Sequence, residues 1–143
     1  MLVEFEADAG EPPLAAHRDA MDHLFGAGNP QAIQAELEAD ASDWAQAQLA
    51  TLRTKSPQTM AVAYRQLCAG RDLRRFADNM AMEYRIGARV VHLHDFQEGV
   101  RAVIIDKDNS PRWSPATLAE VTPASLDAIF APLPPDQEWT PLT

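Results

Sequence analysis

Four prolines in this chain follow directly on a polar residue that can cap a helix, at Asn29-Pro30, Ser56-Pro57, Ser114-Pro115 and Thr122-Pro123. The capping side chain accepts a hydrogen bond from a free backbone N–H group of the first turn, and proline is tolerated there because its missing N–H group is not needed. Each pair therefore predicts a helix start. Ser42 and Asp72 predict two further starts. Gly26 and Gly70 are expected to end the helices before them in the left-handed conformation.

The apolar residues between these starts recur at helical spacing. No segment shows the sustained alternation with a period of two that marks a half-buried strand, whereas three stripes follow the period of an amphipathic helix. The stripes consist of Leu14, Met21, Leu24 and Phe25, then Met60, Ala63, Tyr64, Leu67 and Cys68, then Leu73, Phe76, Ala77, Met80, Tyr84 and Val91. The sequence therefore predicts an all-α fold of about seven or eight short to medium helices.

Residues 94–113, with the sequence HDFQEGVRAVIIDKDNSPRW, predict one capped helix with a charged exit. Asp95 is expected to cap this helix, with Glu98 three residues later at the capping-box position. One apolar face follows, formed by Phe96, Val100, Val103 and Ile104. The helix is expected to end in solvent at Asp106, Lys107 and Asp108.

The same segment resembles the pattern HDFxEGVRAxLIDKDxxPxW of the 3-hydroxyisobutyryl-CoA hydrolases, a branch of the crotonase (enoyl-CoA hydratase/isomerase) superfamily. Residues 56–60 (SPQTM) look like the SPTSL element of that family, and residues 81–85 (AMEYR) look like its TMEYR element. Residues 114–130 resemble its closing stretch of short helices. The resemblance is strong over residues 56–113, weaker before them, and absent after Asp136.

This resemblance implies that the chain is the helical C-terminal region of a crotonase-like protein, without the β/α spiral core that lies N-terminal to it. In such enzymes the core binds the acyl-CoA thioester and supplies the oxyanion hole and the catalytic carboxylate. Residues 1–131 are then one helical domain, residues 132–143 are a loop-rich tail, and no catalytic residue is assigned. The expected partners are the N-terminal core and further copies of the chain, which make a homo-oligomer through helical faces. The parent enzyme is expected to act in valine catabolism.

Lys107 and Arg112 are the candidate binding residues. Many crotonase relatives place a basic residue of a corresponding motif near the phosphates of coenzyme A, and a lysine with an arginine supplies a point charge and a planar fork for phosphate oxygens. The other candidates have structural interpretations. Cys68 continues an apolar stripe, and Trp113 is expected to anchor the loop. His92 and His94 are spaced unsuitably for a helical metal pair, so no metal site is predicted. No bound cofactor is predicted either, and the acyl-CoA thioester is expected as the substrate of the parent enzyme.

The charge balance limits the partners. A net charge of −9 over 143 residues argues against nucleic acid, whose affinity depends on many Lys and Arg contacts, but does not exclude the phosphates of a small ligand. No apolar run approaches the ~18 residues of a membrane-spanning helix, and no targeting signal is visible. A single cysteine suits a reducing compartment. The chain is therefore expected to be soluble and cytoplasmic, or in the mitochondrial matrix of a eukaryote, with no membrane partner.

Two alternatives remain open from the sequence. The parent protein could be an enoyl-CoA hydratase or isomerase, because the carboxylates that decide the reaction belong to the core. The chain could also be an independent helical interaction module of a different functional class. Docking on a core and binding another protein both predict contiguous exposed apolar surface on the isolated helices.

Overall fold

The computed structural model describes residues 10–140 and contains seven α-helices and no β-strand within that range. The helices are α1 Arg18–Leu24, α2 Pro30–Ala39, α3 Asp43–Leu52, α4 Pro57–Asp72, α5 Phe76–Val90, α6 His94–Val100 and α7 Pro123–Phe130. Short 3₁₀ helices lie at Pro13–His17 and Leu118–Glu120, and a π-helical turn at Arg101–Ile105 continues α6. The prediction of an all-α fold is confirmed for the described residues.

Side-chain caps begin four of these helices as the sequence predicts. Each capping oxygen accepts a hydrogen bond from the backbone N–H group three residues further on, and the caps are Asn29, Ser42, Ser56 and Thr122. Because each cap satisfies an otherwise free donor, it fixes where the helix starts.

Two predicted helix starts are wrong. No helix begins at Ser114-Pro115; the Ser114 N–H group donates to the Asp95 carboxylate 2.7 Å away, and the next helical turn starts only at Leu118. Asp72 is the last residue of α4, and α5 begins only at Phe76.

The predicted stop at Gly70 is wrong, whereas α1 does end just before Gly26, although not in the left-handed conformation. Gly70 lies inside α4, where a Cβ atom would stand 3.2 Å from the Asn79 side-chain oxygen, so the glycine allows α5 to approach closely. Gly26 follows the end of α1 without a positive φ, and the left-handed glycine of this connection is Gly28, with φ 86°.

The buried side chains form two clusters. The first joins α1, α2 and α3 through Leu24, Ile33, Leu37, Ala45 and Leu49. The second joins α4, α5 and α7 through Val62, Ile86 and Ile129. Leu93 packs against the second cluster, so the chain enters α6 from a fixed position.

The third predicted apolar stripe is not the buried face of α5. Phe76 is 78% exposed and Tyr84 45% exposed, whereas Ile86 is buried. Met82, Ile86 and Val90, four residues apart, make the contact with α4 and α7. Several apolar residues that the spacing assigns to the interior therefore lie at the surface.

The C-terminal segment is held to the helices by arginines. Arg89 donates to the carbonyl oxygens of Ile129, Ala131 and Pro132, and Arg85 pairs with Glu138 at 2.8 Å. The domain boundary at residue 131 stays a prediction, and residues 1–9 and 141–143 of the two predicted segments lie outside the described range. Among the described helices, none combines the length and apolar character needed to cross a membrane.

Candidate functional site

The candidate site is the helix-loop unit formed by α6, the π-helical turn and residues 106–113. The turn closes when the Asp106 N–H group donates to the carbonyl oxygen of Arg101, five residues earlier, over 2.8 Å. Lys107 and Asn109 then adopt positive φ values of 56° and 51°. Residues other than glycine rarely adopt this conformation, so the surrounding contacts must hold the reversal of the chain.

Asp95 does not cap α6 as predicted. The helix begins at His94, and Asp95 is only 4% exposed. Its carboxylate accepts hydrogen bonds from the Ser56 hydroxyl and from the Ser114 N–H group. Asp95 therefore ties three segments together: the start of α4, the first turn of α6 and the returning loop.

Glu98 does not form the predicted capping box. Its carboxylate makes a bidentate ion pair with the Arg101 guanidinium, with both distances at 2.8 Å, and accepts a third hydrogen bond from the Arg112 N–H group at 2.8 Å. The hydrogen bonds from Arg101, which have the largest effect, and the one from the Arg112 backbone lower the pKa of Glu98 from 4.5 to about 2.

Arg101 is the centre of this unit, and the sequence interpretation did not assign it a role. Besides Glu98, its guanidinium donates to the carboxylates of Asp106 and Asp108 at 2.7 Å each and to the Ser110 carbonyl oxygen at 3.2 Å. These acceptors, Glu98 foremost, raise the pKa of Arg101. The interpretation of Asp106 and Asp108 as simply solvated is therefore incomplete. We call Arg101, Glu98, Asp106 and Asp108 the Arg101 network.

Two aromatic side chains fix the end of the loop. The Trp113 indole N–H donates to the Thr54 carbonyl oxygen at 3.1 Å, which confirms its predicted anchoring role. His94 Nε2 lies 2.9 Å from the Arg112 carbonyl oxygen. Since a carbonyl oxygen only accepts, Nε2 is the donor in this contact.

The two predicted binding residues lie in this loop, five positions apart, and both are exposed. The backbone of Arg112 is held on both sides, by Glu98 at its N–H group and by His94 at its carbonyl group. The contact of Lys107 and Arg112 with coenzyme A stays a prediction. Among the described residues, no group of three or more His, Cys, Asp or Glu side chains is arranged to hold a metal ion.

A cleft of about 190 Å³ lies beside Asp95, between α4, α5 and the start of α6. Val62, Ile86, Val90 and Phe96 line most of its wall. Sites for drug-sized ligands usually measure about 300–1,000 Å³, so this cleft is too small for a molecule the size of coenzyme A.

The pKa of Glu98 makes the contribution of the Arg101 network depend on pH. Because the folded pKa of about 2 lies below the usual 4.5, the stabilisation is complete above pH 4.5 and is lost as the pH falls towards 2. We expect the Glu98→Gln variant to unfold at lower urea concentration than the wild type at pH 7, and the difference to shrink steadily below pH 4.5.

Arg101→Met provides the control background for this measurement. Without the guanidinium, the pH dependence of the Glu98→Gln effect should largely disappear. A difference between wild type and Glu98→Gln that stays constant from pH 7 to pH 2.5 would contradict the assigned role of the ion pair.

Comparison with known proteins places this fold in a family. The enoyl-CoA hydratase/isomerase family profile matches residues 1–130. The mitochondrial 3-hydroxyisobutyryl-CoA hydrolase of Danio rerio is 40% identical over 127 residues, which cover 88% of this chain and 33% of that protein. The Homo sapiens protein of the same name is 39% identical over 120 residues, which cover 84% of this chain and 31% of that protein.

Two solved structures share the arrangement of helices. An enoyl-CoA hydratase from Rhodobacter sphaeroides 2.4.1 superposes with a TM-score of 0.86 at 36% identity, over 94% of this chain and 40% of that one. A carnitinyl-CoA dehydratase from Mycobacterium thermoresistibile superposes with a TM-score of 0.83 at 32% identity, over 90% and 37%. The chain spans about a third of the length of the Danio rerio and Homo sapiens hydrolases. The helical fold, the family match and the residues of the 94–113 motif agree: the chain belongs to the enoyl-CoA hydratase/isomerase family.

Proposed function

We propose that this chain is the C-terminal helical part of an acyl-CoA thioester hydrolase of the 3-hydroxyisobutyryl-CoA type. It packs on an N-terminal crotonase core, supports coenzyme A binding or subunit contacts, and is inactive alone. The observation that carries this proposal is the 39–40% identity to 3-hydroxyisobutyryl-CoA hydrolases over a region that makes up only about a third of those proteins. We place the parent enzyme in the cytoplasm, or in the mitochondrial matrix if the organism is a eukaryote, as the names of the mitochondrial relatives support for the latter case.

The site geometry supports a structural role for the two central carboxylates. Both oxygens of Asp95 accept hydrogen bonds from within the chain, and both oxygens of Glu98 are bound to Arg101. A general base must accept a proton from the reacting group, which requires an oxygen within reach of the substrate. Asp95 and Glu98 are already committed, which favours a catalytic carboxylate in the core.

Lys107 is the residue we propose for contact with the coenzyme A phosphates, together with Arg112. The neighbouring carboxylates of Asp106 and Asp108 pair with Arg101, which also binds Glu98, so one cation and three carboxylates give this network a net charge of −2. The exposed ammonium and guanidinium groups are available to phosphate oxygens despite the net charge of −9 of the chain.

We expect Lys107→Ala and Arg112→Ala each to weaken coenzyme A binding to the reassembled protein by about threefold to tenfold, as for one exposed phosphate contact. Titration calorimetry with coenzyme A measures this, and the exposed Lys55→Ala variant is the control. Dephospho-coenzyme A, which lacks the 3′-phosphate, shows which phosphate is contacted. If Lys107 and Arg112 bind the 3′-phosphate, the two substitutions should leave the affinity for dephospho-coenzyme A unchanged. Unchanged affinity for coenzyme A in both variants would remove the assignment.

The reaction class is tested on the reassembled protein with two substrates. Release of free thiol from 3-hydroxyisobutyryl-CoA identifies a hydrolase. Loss of enoyl absorbance from a 2-enoyl-CoA without thiol release identifies the alternative, a hydratase, which the names of the two solved relatives favour.

A second candidate of a different class is an independent helical interaction module. The exposed apolar side chains on α4, α5 and the π-helical turn support it as they support docking on a core, because such surface drives association with either partner. Binding to the crotonase core distinguishes the two functions: a docking region binds the core, whereas an independent module does not.

A further inference from the structure

The π-helical turn ends in three successive exposed aliphatic side chains. Val103, Ile104 and Ile105 are 59%, 64% and 68% exposed, whereas Ala102 just before them is fully buried. We call these three residues the apolar turn. Large aliphatic side chains are mostly buried in folded proteins, so three in succession at the surface are unusual.

The geometry of the turn determines what kind of contact suits it. Successive side chains on a helix are rotated by roughly 80–100° about the axis, so these three cover about half of the circumference. A helix that lies flat on its partner needs an apolar stripe narrower than this half of the circumference. As the apolar fraction of the circumference increases, more of the helix is surrounded by other atoms. The apolar turn therefore suits insertion into a hollow.

The Arg101 network forms the polar boundary of this turn. Asp106 ends the turn and is paired with Arg101 at 2.7 Å, and Asp108 is held in the same way. The turn is thus fixed by contacts within the chain before any partner binds, which lowers the entropy lost on association.

We propose that the apolar turn inserts into an apolar hollow on the N-terminal crotonase core, and that this is the main docking contact between the two parts. The inference rests on the proposed function. The core is the expected partner because the solved relatives contain much more chain than this region: only 37–40% of their residues match this chain. A second copy fits less well, because two chains of net charge −9 repel one another.

The test measures binding between the full 143-residue chain and the separately produced core of the same protein. Ile104→Asp places a charge in the middle of the apolar turn. Leu67→Asp is the matched control, because Leu67 is 75% exposed on α4 and lies outside the turn. Both substituted side chains are largely exposed in the isolated chain, so both variants should keep the wild-type circular dichroism spectrum.

We expect Ile104→Asp to weaken binding by about 30-fold or more, as for a central contact residue, and Leu67→Asp to change it by less than about threefold. The inference is overturned if Ile104→Asp binds like the wild type, or if Leu67→Asp is weakened equally. In those cases the proposed function still stands, because the wild-type chain binds the core. If the wild-type chain does not bind the core at all, the proposed function fails with the inference.

Discussion

Replacing Asp95 by alanine is expected to lower the free energy of unfolding by about 3 kcal/mol. Asp95 is 4% exposed and accepts hydrogen bonds from the Ser56 hydroxyl and the Ser114 N–H group. Removing the carboxylate leaves both donors without this acceptor, and it also detaches α6 from the start of α4. Urea unfolding followed by circular dichroism measures the change.

Asp95→Asn is the matched control, because it keeps the size and one acceptor oxygen of the side chain. We expect it to cost less than the alanine variant, about 1–2 kcal/mol, since the amide oxygen still accepts from Ser114. If Asp95→Ala unfolds at the wild-type urea concentration, Asp95 is not the link between the three segments.

Replacing Leu37 by alanine should destabilise the chain by a similar amount, about 3 kcal/mol, through loss of buried apolar contact and the cavity left behind. Leu37 has no exposed surface and lies in the cluster that joins α1, α2 and α3. The variant should show a lower urea midpoint with an unchanged slope.

Leu67→Ala removes the same atoms from a side chain that is 75% exposed, and it should change the free energy of unfolding by less than about 0.5 kcal/mol. Equal effects at the two leucines would show that the first cluster is not the stabilising core of the helices.

Four of the six helix starts were predictable because they depend on local contacts. Asn29, Ser56 and Thr122 each bind an N–H group three residues away and stand directly before a proline. No distant residue is needed for this arrangement, so spacing along the sequence contains the required information.

The roles of Asp95 and Glu98 were not predictable in this way. Both occupy positions where a local cap is chemically sound, but each finds partners that are brought close only by the fold: Ser56, 39 residues away, for Asp95 and the Arg112 backbone, 14 residues away, for Glu98. For Asp95 a tertiary contact replaced the local cap, whereas for Glu98 an ion pair with Arg101, three residues away, and the tertiary contact with Arg112 replaced it together. The acidic residues at 98, 106 and 108 around Arg101 were a visible signal for the network.

The apolar spacing of α5 was also insufficient to identify its buried face. Phe76 and Tyr84 fit a helical stripe, but the contact with α4 and α7 is made by Met82, Ile86 and Val90. Periodicity shows that a helix has an apolar face, and it does not show which neighbour covers that face. In a helical region that docks on another part of a protein, two such faces are expected, one internal and one for the partner.

Thiol release from 3-hydroxyisobutyryl-CoA tests the central claim most directly, measured for this chain alone and again after addition of the matching N-terminal core. We predict no hydrolysis by the chain alone and hydrolysis by the mixture. Hydrolysis by the chain alone, or a mixture no more active than the core by itself, would contradict the account.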